Sequence, residues 1–318
     1  MGEKYPAIRY RDDMGGYFEN GVWNTNCNSW TELEEKIEEF KNRKYLYMWR
    51  GQRCQKKLRP SIFRDSDSVP NNETIKEHLD HFKNDLPGGK SLLLFLENAS
   101  KEGTADFEKA LSEYYKMIQP KQDKKDPKEN CIQDFIDDIY WGIGRHHGLK
   151  TPLLDWTMDP YKALFFAFYE KKEKDDKRVV FGLAEKSRLL LHKGKQTKRY
   201  IEFLDTLCFV ETVLGSSGSP AHVKEEVGQM FGRIKAQEGL FTRTLYNEDI
   251  EEYIKKCYRV YKKRRNEEIV FLIKILIPNG VRKDILQKLE EEKEITYKTM
   301  FPDLFGTVSY WNLKLESL

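Results

Sequence analysis

Three short segments of this chain place anion-binding or proton-handling groups inside otherwise apolar sequence. The first is WRGQ, Trp49 to Gln52. An arginine at the mouth of a buried strand offers a fixed planar fork of N–H donors to an anion, and the following glycine lets a ligand approach the backbone. A structural carboxylate could take the same fork. The second is RHHGLKTPLLDWT, Arg145 to Thr157, where His146 and His147 precede Asp155 and Thr157 across a run holding Gly148 and Pro152. Adjacent histidines on a helix cannot both face one metal ion, because ligands there need a spacing of three or four. In a purely structural arrangement Asp155 would cap a helix beginning near Pro160, and His146 would bond a neighbouring carbonyl. The third is RIKAQEGLFT, Arg233 to Thr242, with Gln237 and Glu238 ahead of a glycine stop. Set in a cleft, Glu238 could orient a sugar hydroxyl or act as a general base; exposed, it is ordinary surface.

Other chemistries have less behind them. Ser216 and Ser217 lie in no GxSxG elbow, and the Gly/Ser loop around them lacks the Walker lysine pattern. The five cysteines, Cys27, Cys54, Cys131, Cys208 and Cys257, form an odd, scattered set without a CxxC pair. That spacing suits reduced thiols in a cytoplasmic protein, not a disulfide frame or a zinc site, and no metal is expected. No carboxylate cluster suited to Mg²⁺ stands out, which sets a nuclease behind other readings.

The elements that must position these groups can be read from periodicity. Ser29 to Lys44 opens with a Ser/Thr cap and repeats Leu33, Ile37 and Phe40 on one face, as a helix does. YLYMWRGQ has the bulky, aromatic composition of a short buried strand that delivers Arg50 and Gly51 at its end. Residues 71 to 119 read as helices, the first capped by Asn72, and 120 to 130 as a polar surface loop. A further helix ends at Gly148. DWTMDP reads as a turn before a helix carrying Ala163 and Ala167 on one face. VVFGLAE and EEIVFLIKILIP read as strands, the latter the strongest, and VRKDILQKLEEEKEI as the helix after it. Irregular alternation of strands and helices predicts an α+β fold, a small mixed sheet core with helical insertions.

The chain has 318 residues, 39% hydrophobic and 13% aromatic, enough for a real core and unlike disordered sequence. Its 55 Lys+Arg against 52 Asp+Glu give a net charge of +3, which names no partner. The longest apolar runs fall far short of a membrane span, and MGEKYPAIRYRDD has no apolar signal core, so the expectation is a cytoplasmic protein with no membrane contact. Basic patches at Lys121 to Lys128 and Lys262 to Arg265, the latter beside Tyr258 and Tyr261, would allow single-stranded nucleic acid or be plain solvated faces.

Taken together, YMWRGQ, LRPSIFR, GRHHGLKTPLLDWTMDPYKALFFA, RIKAQEGLFT and TMFPDLFG resemble the FRG domain family, named for a Phe/Tyr-Arg-Gly motif. The anchors run from Trp49 to Gly306 in the family's order. The resemblance therefore implies one domain over 45–310, with 71–140 as a helical insertion, 1–44 as an extension carrying one helix, and 311–318 as a tail. The family pattern carries over onto Arg50, Gly51, His146, Gly148, Thr151, Leu154, Asp155, Trp156, Thr157, Gln237 and Gly239. Trp49 stands in place of the usual Phe or Tyr, Arg145 in place of a glutamine, and Pro152 in place of an arginine.

FRG domains occur around bacterial phage-defence and toxin-like genes. A weaker analogy links WRG, and DWTMDP with the helix after it, to two elements of ADP-ribosyltransferases, giving an ADP-ribosyltransferase-like fold. The resemblance so implies an NAD-consuming effector or toxin, with NAD as substrate, a nucleic-acid acceptor and an antitoxin or other regulatory protein as partner. A non-catalytic sensor of a nucleotide or phage component is the alternative. In the enzymatic reading Arg50, His146, Asp155, Thr157 and Gln237 form the catalytic set. Trp49, Gly51, Gln52, Trp156 and Glu238 line the NAD site, with Trp156 as the aromatic wall for nicotinamide.

Overall fold

The computed structural model describes residues 9–41, 47–64, 70–86, 89–103, 105, 108–109, 111, 128–146, 148–171, 177–184, 201–204, 232–244, 249–263 and 268–315. The Gly/Ser loop with Ser216 and Ser217, the 120–127 stretch, Cys208, His147 and the side chains of Cys131 and His146 lie outside them.

The chain is α+β, built on one eight-stranded mixed sheet. Its strands are β1 (Tyr17–Glu19), β2 (Val22–Asn26), β3 (Tyr47–Gln52), β4 (Leu153–Thr157), β5 (Lys177–Ala184), β6 (Ile201–Leu204), β7 (Gly239–Thr244) and β8 (Leu272–Pro278). They lie in the order β1-β2-β8-β5-β3-β4-β7-β6, with β2 and β8 parallel and every other neighbouring pair antiparallel. The strand expected to be strongest, β8, sits between β2 and β5, where both edges are paired and an apolar run is buried on both faces.

Period-two alternation divides the side chains between two layers. Trp23, Tyr47, Trp49, Val180, Ile273 and Ile275 face helices α1 (Trp30–Lys41), α5 (Pro160–Phe168) and α7 (Arg282–Lys293). Val22, Met48, Leu154, Trp156, Val179, Phe181 and Leu272 face α6 (Ile250–Lys262). A third cluster joins Leu153 and Phe241 to α2 (Asn72–Asp85), α3 (Gly89–Glu102) and α4 (Lys128–His146), the region read as a helical insertion. Helices α8 (Tyr297–Met300) and α9 (Leu304–Leu315) follow α7.

Several local expectations need correcting. The segment read as an extension with one helix also supplies β1 and β2 to the sheet, and its Trp23, Leu33, Ile37 and Phe40 are part of the main core. DWTMDP is not a turn throughout: Asp155 to Thr157 are strand, because Leu154 and Trp156 alternate into the core as a half-buried strand requires. The cap of α5 is Asp159, whose carboxylate accepts from the Tyr161 N–H at 2.8 Å, and the cap of α2 is Asn71. Gly239 begins β7, and the left-handed residue ending the 232–237 helical turn is Glu238, at φ 47°.

No helix among the described residues is long and apolar enough to cross a membrane. Among the described residues Cys27, Cys54 and Cys257 form no disulfide, and burial pushes Cys27 up to about 12.

Candidate functional site

The site arises where the sheet parts. β3 pairs with β5 over six positions and β4 with β7 over five, but β3 and β4 are in register at Trp49↔Thr157 alone. Toward Arg50 and Asp155 the two strands separate, and backbone groups that would have laddered must find other partners. Arg50 supplies one: its guanidinium donates to the Asp155 carbonyl at 2.6 Å and lies 3.5 Å from the Asp155 carboxylate. A cavity of about 920 Å³ opens at this gap. Its lining includes Arg50, Gly51, Gln52, Asp155, Thr157 and Gln237, so residues nearly 190 positions apart do share one hollow.

Asp155 is the centre of a charge cluster. Arg145, on the last turn of α4, grips its carboxylate through Nε at 3.0 Å and NH2 at 2.6 Å, while NH1 donates to Ser61 at 3.2 Å. This is the planar two-point match of guanidinium to carboxylate. Burial by itself would raise the Asp155 carboxyl, but Arg145 and then Arg50 hold it well below the usual carboxylate range. Arg145 is raised in turn, chiefly by the charge of Asp155. Arg50 is lowered to about 10, first by burial, with Asp155 opposing, and keeps its proton at neutral pH. Asp155 therefore stays an anion, and among the described lining residues it is the lone carboxylate.

The rest of the lining is cationic and donor-rich. Arg53, Lys56, Lys57, Arg59, Arg64 and Arg233 join Arg50 and Arg145 around the hollow. Arg53 pairs with Glu170, and Arg233 with Asp303. Among the described residues, three buried groups of the lining side chains have no hydrogen-bond partner: Arg50 Nε, Gln52 Nε2 and Arg59 Nε. The Arg50 side chain is 10% exposed and Gln52 9%. A buried N–H without a partner costs free energy on the order of 1–3 kcal/mol, and all three belong to residues that line the hollow. The chemistry of this donor set is anion binding.

Several expected roles move. Gly51 lines the hollow, and its missing side chain also serves packing: a Cβ there would lie 1.9 Å from the Ala163 carbonyl oxygen, so the glycine lets α5 sit against β3. The small residues Ala163 and Ala167 belong to the same close approach. Trp49 turns its ring into the core against Phe40 and Tyr47 and over Gly182. Trp156 packs largely in the core, its indole N–H donating to Thr242 Oγ1 at 2.9 Å, yet both tryptophans belong to the lining of the hollow. Phe166, Tyr169 and Phe301 add further aromatic lining, with the Arg233 guanidinium 5.4 Å from the Phe301 ring.

Thr157 and Gln237 meet, but through the backbone. The Thr157 hydroxyl donates to the Gln237 carbonyl at 2.7 Å, and the Gln237 amide donates to the Met300 carbonyl at 3.0 Å. Together they tie β4, the 232–237 turn and α8 around one end of the hollow. Glu238 is half-exposed, pairs with Lys162 at 2.8 Å, and is not among the lining residues. His146 ends α4, one position after Arg145.

Arg145 was the residue that sequence reasoning passed over. It stood only as a departure from the family pattern, yet it is the main partner of Asp155. The signal available was an arginine on the same segment as a carboxylate ten positions on.

In the basic patch at Lys262 to Arg265, Lys262 pairs with Glu268 at 2.8 Å, Tyr258 beside it is buried at 1% exposure, and Arg264 and Arg265 lie outside the described residues.

Residues 45–176 match the family model described as the FRG domain. The match spans WRGQ through the α5 helix and stops before RIKAQEGLFT and TMFPDLFG. No curated protein and no solved structure gives a significant match.

Proposed function

We propose, starting from the FRG match and the donor-lined gap between β3 and β4, that this protein holds NAD in the cleft and transfers its ADP-ribose to a nucleic-acid acceptor. The observation that carries the reading is the set of guanidinium and amide side chains, Arg50, Gln52, Arg59 and Arg64, that line one cavity of about 920 Å³. A pyrophosphate supplies the acceptor oxygens such donors need, and the hollow lies within the size range of cofactor sites. Phe166, Tyr169 and Phe301 give an apolar wall for a flat ring.

The transfer breaks the bond between ribose C1′ and the nicotinamide nitrogen. The bonding pair stays on that nitrogen and neutralises the pyridinium ring, while C1′ becomes an oxocarbenium ion. A lone pair of the acceptor then forms the new C1′ bond, and the acceptor's proton passes to water. Arg50 acts by fixing the pyrophosphate, so that the sugar is held still while charge develops. Asp155 remains ionised beside it, an anion that favours the cationic sugar over the neutral one. In this reading the protein is a cytoplasmic effector of a phage-defence or toxin–antitoxin system, restrained by a regulatory partner.

Incubation with NAD and measurement of released nicotinamide tests this, with RNA, DNA or lysate supplied as acceptor. Release is expected, and Arg50→Ala should lower it roughly 30- to 160-fold, as for a lost charge-assisted contact of about 2–3 kcal/mol. No release with any acceptor overturns the enzymatic reading.

One arrangement favours a second reading, a sensor that binds a nucleotide without turning it over. Asp155 is gripped by Arg145, and Glu238 is held by Lys162 outside the hollow, so no lining carboxylate is at liberty to act as a base. A sensor predicts that NAD raises the melting temperature, that Arg50→Ala abolishes the shift, and that no nicotinamide appears.

A further inference from the structure

The lining cations outnumber what one dinucleotide requires. Arg50, Gln52 and Arg59 suffice for a pyrophosphate, and Arg145, Arg53 and Arg233 already have carboxylate partners. Arg64, whose Nε donates to the Arg59 carbonyl, Lys56 and Lys57 remain. Both lysines are exposed, both line the cavity, and neither has an ion-pair partner among the described residues. They lie on the segment 53–64, which also brings Arg59 and Arg64 to the same wall.

This arm is fixed in place before any ligand arrives. Leu58 is 1% exposed and its carbonyl accepts from the Ile250 N–H at 3.1 Å. Phe63 is buried, the Ile62 N–H donates to the Thr151 carbonyl at 3.3 Å, and Arg64 Nε donates back to the Arg59 carbonyl at 2.7 Å. Anchored at Leu58 and Phe63, the backbone of the arm carries its exposed lysines beside the cavity. Binding then costs the rotamer freedom of the lysine side chains but little backbone ordering.

Resting on the reading of the cleft as an ADP-ribose donor site, we infer that the 53–64 arm is the acceptor's binding site, and that it holds the phosphodiester backbone of a single-stranded nucleic acid. A polymer with one negative charge per residue is what a row of cations beyond the dinucleotide pocket neutralises. The strand is single because the acceptor atom must reach a sugar inside the hollow, and bases stacked within a duplex cannot. The patches at Lys121 to Lys128 and Lys262 to Arg265 are not needed for this contact.

The experiment is fluorescence anisotropy with labelled 20-nucleotide RNA and DNA of one sequence, in the absence of NAD, across a range of salt concentrations. Binding is expected to weaken with salt. The double variant Lys56→Gln/Lys57→Gln should flatten the slope of log K against log salt by about 1.4, at roughly 0.7 per lost single-strand phosphate contact. Lys262→Gln should leave the slope as it is. A preference between the RNA and DNA arms identifies the natural acceptor, and equal binding leaves the backbone as the element recognised. No binding at low salt, an unchanged slope in the double variant, or equally strong competition by polyglutamate overturns the inference. Because NAD is absent, absence of nicotinamide release in the separate assay would sink the donor reading alone, whereas NAD turnover without oligonucleotide binding would sink the arm alone.

Discussion

At the scale of single residues the site is organised by one anion between two guanidinium groups. Asp155 is 40% exposed toward the hollow, yet Arg145 and Arg50 keep it ionised. Replacing it by asparagine leaves two inward-facing cations without their countercharge. A fully buried pair broken this way costs on the order of 3–5 kcal/mol, and the exposure reduces the expectation to about 2 kcal/mol, measurable by urea denaturation at pH 7. The pH dependence follows from the direction of the shift. The folded carboxyl is depressed, so its contribution is complete above the unfolded value near 3.9 and is lost as pH falls toward the folded one. The gap between wild type and Asp155→Asn should hold constant from pH 5 to 8 and close in stronger acid. Glu238→Gln is expected to change nicotinamide release less than threefold, since that side chain meets Lys162 and not the hollow; a loss of turnover there would return the carboxylate to the mechanism.

At the scale of elements, the distance between α5 and β3 is set by one missing side chain. The Cβ of an alanine at position 51 would overlap the Ala163 carbonyl and crowd the Ala167 N–H at 2.6 Å, both of them backbone that cannot swing aside. Gly51→Ala should therefore destabilise the fold by about 3 kcal/mol, the upper end for overpacking, visible as a lowered urea midpoint. The helix is also held at its far end, where Arg178 donates to the Ala167 carbonyl and Arg282 to the carbonyls of Phe168 and Tyr169. Two cations at a helix C-terminus satisfy carbonyls that the helix itself leaves open. With α5 fixed against β3, the parting of β3 from β4 becomes a permanent feature of the sheet.

At the scale of the whole molecule, β1 and β2 from the first 44 residues belong to the same sheet as the site. β2 runs parallel to β8 over five positions, and Trp23, Trp30 and Phe40 sit in the core beside Trp49. Deleting 1–44 would bare the β8 edge and remove several large buried side chains, each worth on the order of 1.5–3 kcal/mol. The shortened chain is expected to be insoluble or to lack a cooperative thermal transition, read by calorimetry. A well-folded deletion product would show that the FRG-matched region carries its own core.

The sequence by itself determined the parts that depend on short-range pattern. Leu33, Ile37 and Phe40 recur at helical spacing, Tyr47 to Trp49 are bulky enough to demand burial, and β8 is too apolar to lie anywhere but inside; these features specify helix or strand with little reference to distant residues. The motifs also placed Arg50, Asp155, Thr157 and Gln237 in one constellation, and they do line one hollow. The direction each side chain points was not legible in the same way. Trp49 and Trp156 fall on core faces because strand alternation and sheet position put them there. Gly51 serves a helix because α5 happens to cross at that point. Arg145 finds Asp155 because α4 ends over β4. Such outcomes turn on which layers pack against which and where two neighbouring strands separate, quantities set by contacts between residues a hundred or more positions apart, and only the tertiary structure decided them.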